Sequence, residues 1–123
     1  MRIIIVGVHN KTGIAPLCST TKSGKLIDRI SEKLPIPIEK TNLFNCDYVP
    51  TKEDKAKYID EWYWTQLPTK DDVIVLLGGI VHKNFREMKS NIIKIKHPAS
   101  QWSHKNMNNY VESAVEEIKK YCN

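Results

Sequence analysis

Residues 2–8, "RIIIVGV", form an apolar, β-branched run that closes around a glycine, and residues 72–79, "DVIVLLGG", repeat the form. Such runs suit strands covered on both faces, so they predict the two central strands of a parallel sheet. Two weaker runs, "KTNLFNC" at 40–46 and "NIIKIK" at 91–96, predict outer strands that are shorter or less buried. Between the runs the apolar spacing changes to three and four. Leu26, Ile27, Ile30 and Leu34 share one helical face after Ser23-Gly24. Ala56, Ile59, Tyr63 and Leu67 share another after Thr51, with Asp54 three residues on as a near capping box. A shorter helix is expected over 80–89, and a last one from about Lys105 presents Met107, Tyr110, Val111, Ala114, Val115, Ile118 and Tyr121. The resulting order, β-α-β-α-β-α-β-α, implies a three-layer α/β/α fold around a parallel sheet with right-handed crossovers. With no internal repeat, low-complexity segment or linker, residues 1–123 read as a single domain.

Composition narrows the class. Hydrophobic residues at 41% and charged residues at 27% are the balance of an ordinary globular protein. No apolar run approaches a membrane span, and "MRIIIVGV" passes into polar chain without a cleavage-type segment, so a soluble, cytoplasmic monomer without membrane association is expected. Cys18, Cys46 and Cys122 are odd in number and form no C-x-x-C pair, which argues against a disulfide framework or zinc ribbon and for a reducing compartment. Lys and Arg outnumber Asp and Glu by 19 to 14, a net charge of +5 that favours an anionic partner, of which nucleic acid is the commonest.

In open parallel sheets ligands bind beyond the carboxyl ends of the strands. All four histidines fall there: His9 after the first strand, His82 after the third, His97 and His104 after the fourth, while Cys46, Asp47 and Tyr48 follow the second. Histidines also favour loops for unrelated reasons, but all four falling here points to this edge as the site. "STTKSGKL" resembles the end of a phosphate-binding loop, but Ser19 stands where the first glycine belongs and Leu26 where a magnesium-binding hydroxyl belongs. That excludes a nucleoside triphosphatase and leaves a helix start whose N–H groups cap the helix or hold a DNA phosphate. His9, Cys46, Asp47 and His97 are all metal-ligand types, yet their spacing demands no metal and none is expected. A nucleophilic Cys46–His pair is equally unsupported, and Cys46 reads as a small hydrophobe at a strand end.

Five blocks taken in order, "IIIVGVHNKTG", "KSGKLIDRI", "TNLFNCDYVPTKED", "VIVLLGG" and "IKHPAS", resemble the motifs of the uracil-DNA glycosylase superfamily across nearly the whole chain. The likeness is nearest its bacterial and archaeal iron-sulfur branch, and it implies strand order 2-1-3-4. It also implies that Asn42 reads the pyrimidine edge of a flipped base, a task needing donor and acceptor on one planar group. By the same resemblance His97 steadies negative charge on the departing base, and residues 98–102, with Ser100, Gln101 and Trp102, enter the minor groove and wedge the vacated gap. Lys11, Lys22 and Lys25 are the expected phosphate contacts.

The departures matter as much. Val8 occupies the position where the nearest branch carries an acidic residue that positions water, leaving His9 or Asn10 as substitutes. Pro16 and Leu17 stand nearest the place of the aromatic that stacks under the base, so Leu17 is the expected base contact. Cys46 fits one cluster ligand, but Tyr58 takes the place of the next and the N-terminal pair has no counterpart, so no iron-sulfur cluster or other cofactor is expected. Three functions remain: a minimal DNA glycosylase that hydrolyses the N-glycosidic bond of a uracil-like or modified base, a catalytically inactive DNA or modified-base binding module, and a nucleoside or nucleotide hydrolase.

Overall fold

A computed structural model describes residues 1–9, 16–46, 48, 50–86, 88–98 and 104–122, the side chains of His104 and Lys105 excepted. The elements run β1 (Ile3–His9), α1 (Lys22–Glu32), β2 (Ile38–Phe44), α2 (Lys52–Gln66), β3 (Val73–Leu77), α3 (Gly78–Asn84), β4 (Asn91–Ile95) and α4 (His104–Lys119). The four strands form one sheet in the order β2-β1-β3-β4. Every pairing is parallel. The architecture is the expected three-layer α/β/α fold, with the two continuous apolar runs at its centre.

Period-two alternation divides each central strand between two cores. Ile3, Ile5, Val73, Val75 and Leu77 pack with Leu26, Ile27 and Ile30 of α1 and with Val111, Ala114 and Ile118 of α4. Ile4, Val6, Ile74 and Leu76 pack on the other face with Ile59 and Trp62 of α2 and Val81 of α3. Ile3 to Val6 and all of β3 are essentially inaccessible to solvent. Burial on this scale, about 25 cal/mol per Å² of apolar surface, makes β1 and β3 the backbone of the fold.

Several boundaries differ from the sequence expectation. α1 begins at Lys22 beneath an N-cap at Thr21, whose Oγ1 accepts a hydrogen bond from the Gly24 N–H at 3.0 Å, so Ser23-Gly24 lies inside the first turn. Thr51 does cap α2, but its hydroxyl meets the Asp54 carboxylate at 3.2 Å instead of a backbone amide. The buried face of α2 is Ile59 and Trp62 with Tyr58 and Tyr63 beside them, and Ala56 and Leu67 are exposed. Leu67 lies past the helix in the left-handed region, φ 44°, and cannot continue the face. The two glycines of "LLGG" open α3 and do not close β3, and α3 stops at Asn84 because Phe85 is extended.

Two polar links pin the layers. Trp62 donates its indole N–H to Thr41 Oγ1 at 3.0 Å, and Thr41 donates to the Ile5 carbonyl at 2.8 Å, tying α2 through β2 to β1. Asp72, buried at the start of β3, accepts from the Arg2 amide at 2.9 Å, the Arg2 guanidinium at 3.0 Å and the Thr69 amide at 2.8 Å. Burial alone would raise its carboxyl, but these donors outweigh it and hold Asp72 below the ordinary carboxylate range. Among the described residues no helix is long and apolar enough to cross a membrane.

Thr41→Val keeps the shape but strands a buried indole N–H and removes a donor from the Ile5 carbonyl. It is expected to lower unfolding free energy by about 1–3 kcal/mol in denaturant titration, with Thr41→Ser retaining most of the stability. A Val variant as stable as wild type would show that this link carries no weight.

Candidate functional site

The carboxyl ends of the four strands lie along one edge, and the N-terminus of α1 lies there too, since a helix joining parallel strands must run back against them. Asn42 and His97 sit on or beyond the two outer strands. Both lean inward over a glycine. A Cβ added at Gly7 of β1 would lie 2.8 Å from Asn42 Oδ1 and 3.7 Å from Leu17 Cδ2. A Cβ added at Gly78, at the end of β3, would lie 3.0 Å from His97 Cβ. Val6 pairs with Leu76, so Gly7 is level with Leu77 and Gly78 lies one residue further along the neighbouring strand. The two glycines therefore lie on neighbouring strands, Gly7 covered by Asn42 and Leu17 and Gly78 covered by His97, each glycine leaving room for the side chain that packs over it. Gly78 also has φ +83°, a conformation that side chains rarely adopt, and it turns β3 directly into α3.

His9 joins this group. Alternation along β1 puts Val8 on the α2/α3 face, where it packs against the core, and returns His9 to the face of Gly7. His97 is half-buried, and burial first, then the electrostatic influence of the neighbouring His9 imidazole, push its own imidazole below the ordinary histidine value of 6.5. At neutral pH it is an uncharged ring able to offer an N–H donor without adding a full charge.

Leu17 forms a wall beside Asn42. Its backbone is in the left-handed region at φ 48°, which costs a non-glycine residue roughly 1–2 kcal/mol, and its side chain packs on the α1/α4 core. Lys40, two residues before Asn42 on the same face of β2, donates to the Leu17 carbonyl at 2.9 Å, Ser19 Oγ at 3.4 Å and Asp28 Oδ1 at 2.6 Å. Asn42 also borders a cleft of about 200 Å³ between Pro16 and α2, shared with Asn45, Tyr58 and Glu61.

The remaining candidates separate. Lys22 and Lys25 are exposed in the first turn of α1, which carries no acidic residue, on the same edge as the site. Asn10, Lys11, Asp47, Ser100, Gln101 and Trp102 lie outside the described residues. His82 is not part of the site: it lies within α3 and its Nε2 hydrogen-bonds the Leu76 carbonyl at 2.9 Å. His104 opens α4. Cys46 donates its thiol to the Tyr48 carbonyl at 2.9 Å and packs on the α2/α3 core, so it faces away from His9. Tyr58, beside it, hydrogen-bonds Tyr48, which together with burial pushes its phenol up to about 12. Among the described residues no group of three His, Cys, Asp or Glu side chains could hold a metal ion.

Besides Gly78, sequence reasoning missed Tyr110 and Lys40. Tyr110, read only as part of a helix face, donates its hydroxyl to the Lys96 carbonyl at 2.6 Å and so anchors the chain immediately before His97. Lys40 carried no signal beyond being a lysine two residues before Asn42, a spacing that places both on one face of a strand. No protein-family model matches the chain, and no curated protein matches it in sequence.

NMR titration should find His97 protonating below 6.5, and His9→Asn should move that titration upward by removing the imidazole whose coulombic influence lowers it. The native ring binds its proton less tightly than the unfolded one, so this group withdraws stability as pH falls below about 6.5, and the loss is complete below the native pKa. A His97 that titrates at or above the ordinary value would contradict the electrostatics of the site.

Proposed function

We propose that this edge binds DNA, receives an everted base between Asn42 and His97, and hydrolyses its N-glycosidic bond, as the resemblance to uracil-DNA glycosylases implies. The observation that carries the reading is the convergence of an amide and a neutral imidazole over Gly7 and Gly78. A pyrimidine with a uracil-like edge needs a donor and an acceptor together, which Asn42 supplies. As the bond between C1′ and the base nitrogen lengthens, its electron pair stays with the base. The His97 N–H donates to the base oxygen where that charge collects, the interaction that lowers the barrier most. Water adds its oxygen to C1′, and its proton passes through solvent to the departing base anion, which leaves as the neutral base. His9 orders that water, with Asn10 as the adjoining candidate.

Lys22 and Lys25 with the N-terminus of α1 hold the phosphates, with Lys11 as a further candidate by sequence, while Ser100, Gln101 and Trp102 follow His97 in the chain as the wedge. Hydrolysis places its demand on His9 because Val8 offers no carboxylate and turns to the opposite face. That same feature favours a second reading, a module that binds a base without cleaving it.

Purified protein incubated with single- and double-stranded oligonucleotides carrying uracil or other altered bases, followed by alkaline cleavage of abasic sites, tests the proposal. Strand cleavage at the altered base is expected, with His97→Ala slowing single-turnover cleavage about a hundredfold and leaving DNA affinity nearly intact. Asn42→Asp, an acceptor-only group, should erode base preference more than overall grip. Binding without cleavage on every base would replace hydrolysis by the second reading.

Phosphate contacts release counterions, so affinity should fall steeply between low and high salt in fluorescence anisotropy. Salt-independent affinity would exclude a phosphate-dominated interface.

A further inference from the structure

We propose that Lys40 is a positioning residue of the nucleobase slot, acting as a clamp that fixes Leu17 against Gly7 and Asn42. The proposal rests on the reading of this edge as a base site. An ammonium has three N–H donors, and Lys40 meets an acceptor with each: the Leu17 carbonyl at 2.9 Å, Ser19 Oγ at 3.4 Å and Asp28 Oδ1 at 2.6 Å. Its side chain is 21% exposed, so the pair with Asp28 is partly withdrawn from solvent and set in one geometry, unlike a lysine on an open surface.

The three acceptors come from two different parts of the chain. Leu17 and Ser19 belong to the segment before α1, and Asp28 lies on α1 itself, while Lys40 extends from the strand that carries Asn42. The clamp therefore joins the segment holding one wall of the slot to the strand holding the reading amide. Leu17 needs such a restraint. A leucine at φ 48° keeps that conformation only where its surroundings enforce it, and the hydrogen bond to its own carbonyl is the most direct enforcement available. The Leu17 methyl then lies over the bare Cα of Gly7, beside the Asn42 amide, where a base ring would be bounded.

If Lys40 sets this wall, losing it should weaken the part of binding contributed by the base and spare the part contributed by phosphates. Lys40→Met keeps the stem and removes every donor. Two readouts are compared in wild type and variant: the NOE between a Leu17 methyl and the Gly7 α-protons in the free protein, and the ratio of affinities for a uracil-containing single strand and the same strand with an abasic analogue. The expected result is loss of the NOE and a fall in that ratio of roughly tenfold or more, with abasic-strand affinity unchanged. Lys40→Gln, which can still reach one acceptor, should be intermediate, and it carries the same comparison if the Met variant does not fold. An NOE retained in the variant overturns the clamp, and so does an unchanged ratio when the NOE is lost. A wild-type protein that binds both strands equally instead defeats the nucleobase reading, and the proposal falls with it by a result distinct from the other two.

Discussion

The structure depends on two adjacent strands being buried on both faces. β1 and β3 have helices above and below and a strand on each side, so their residues meet solvent only where the strands end. Parallel pairing brings all four carboxyl ends to one edge, and the crossover helices return their N-termini to that edge. The candidate site residues are thus confined to a narrow rim by the same burial that stabilises the fold. On that rim, glycine at Gly7 and Gly78 removes the side chains that would otherwise fill the centre, and residues from the flanking strands occupy the space.

Electrostatics follows from that placement. His97 is half-buried because it lies over the end of β3 with the Lys96 carbonyl held by Tyr110, and that desolvation together with His9 keeps its ring uncharged. Positive charge is kept to the outside, on Lys22 and Lys25, and Lys40 is largely compensated by Asp28.

Much of the fold was legible in the chain. The β-branched runs of β1 and β3 identify central strands because only double-sided burial tolerates them, and the strand order agrees with the expectation drawn from the resemblance. Boundaries were less legible where polar groups rather than apolar spacing decide them: Thr21 caps α1 before its apolar face begins, and Trp62 turns inward for a hydrogen bond to Thr41 that no periodicity reports. In the site, His9 and His97 were read from their places at strand ends, while Asn42 and Leu17, like the role of His97, came from the resemblance; the structure puts Leu17 beside Asn42 at Gly7 and His97 over Gly78. Gly78, Lys40 and Tyr110 were not legible, because their contributions are a positive φ, a long-range clamp and a bond to a backbone carbonyl. His82 looked equivalent to His9 and His97 in sequence, and its position inside α3 separates it from them.

The most direct measurement is the difference in amide and side-chain NMR shifts between protein bound to a uracil-containing single strand and protein bound to the same strand with an abasic analogue. Phosphate contacts cancel in that difference, leaving the base. The account predicts base-dependent shifts at the Asn42 side-chain amide, the His97 ring and the amides of Gly7 and Gly78. Base-dependent shifts centred elsewhere, such as the groove between β4 and α4 lined by Lys94, Asn109 and Ser113, or no base-dependent shifts at all, would contradict it.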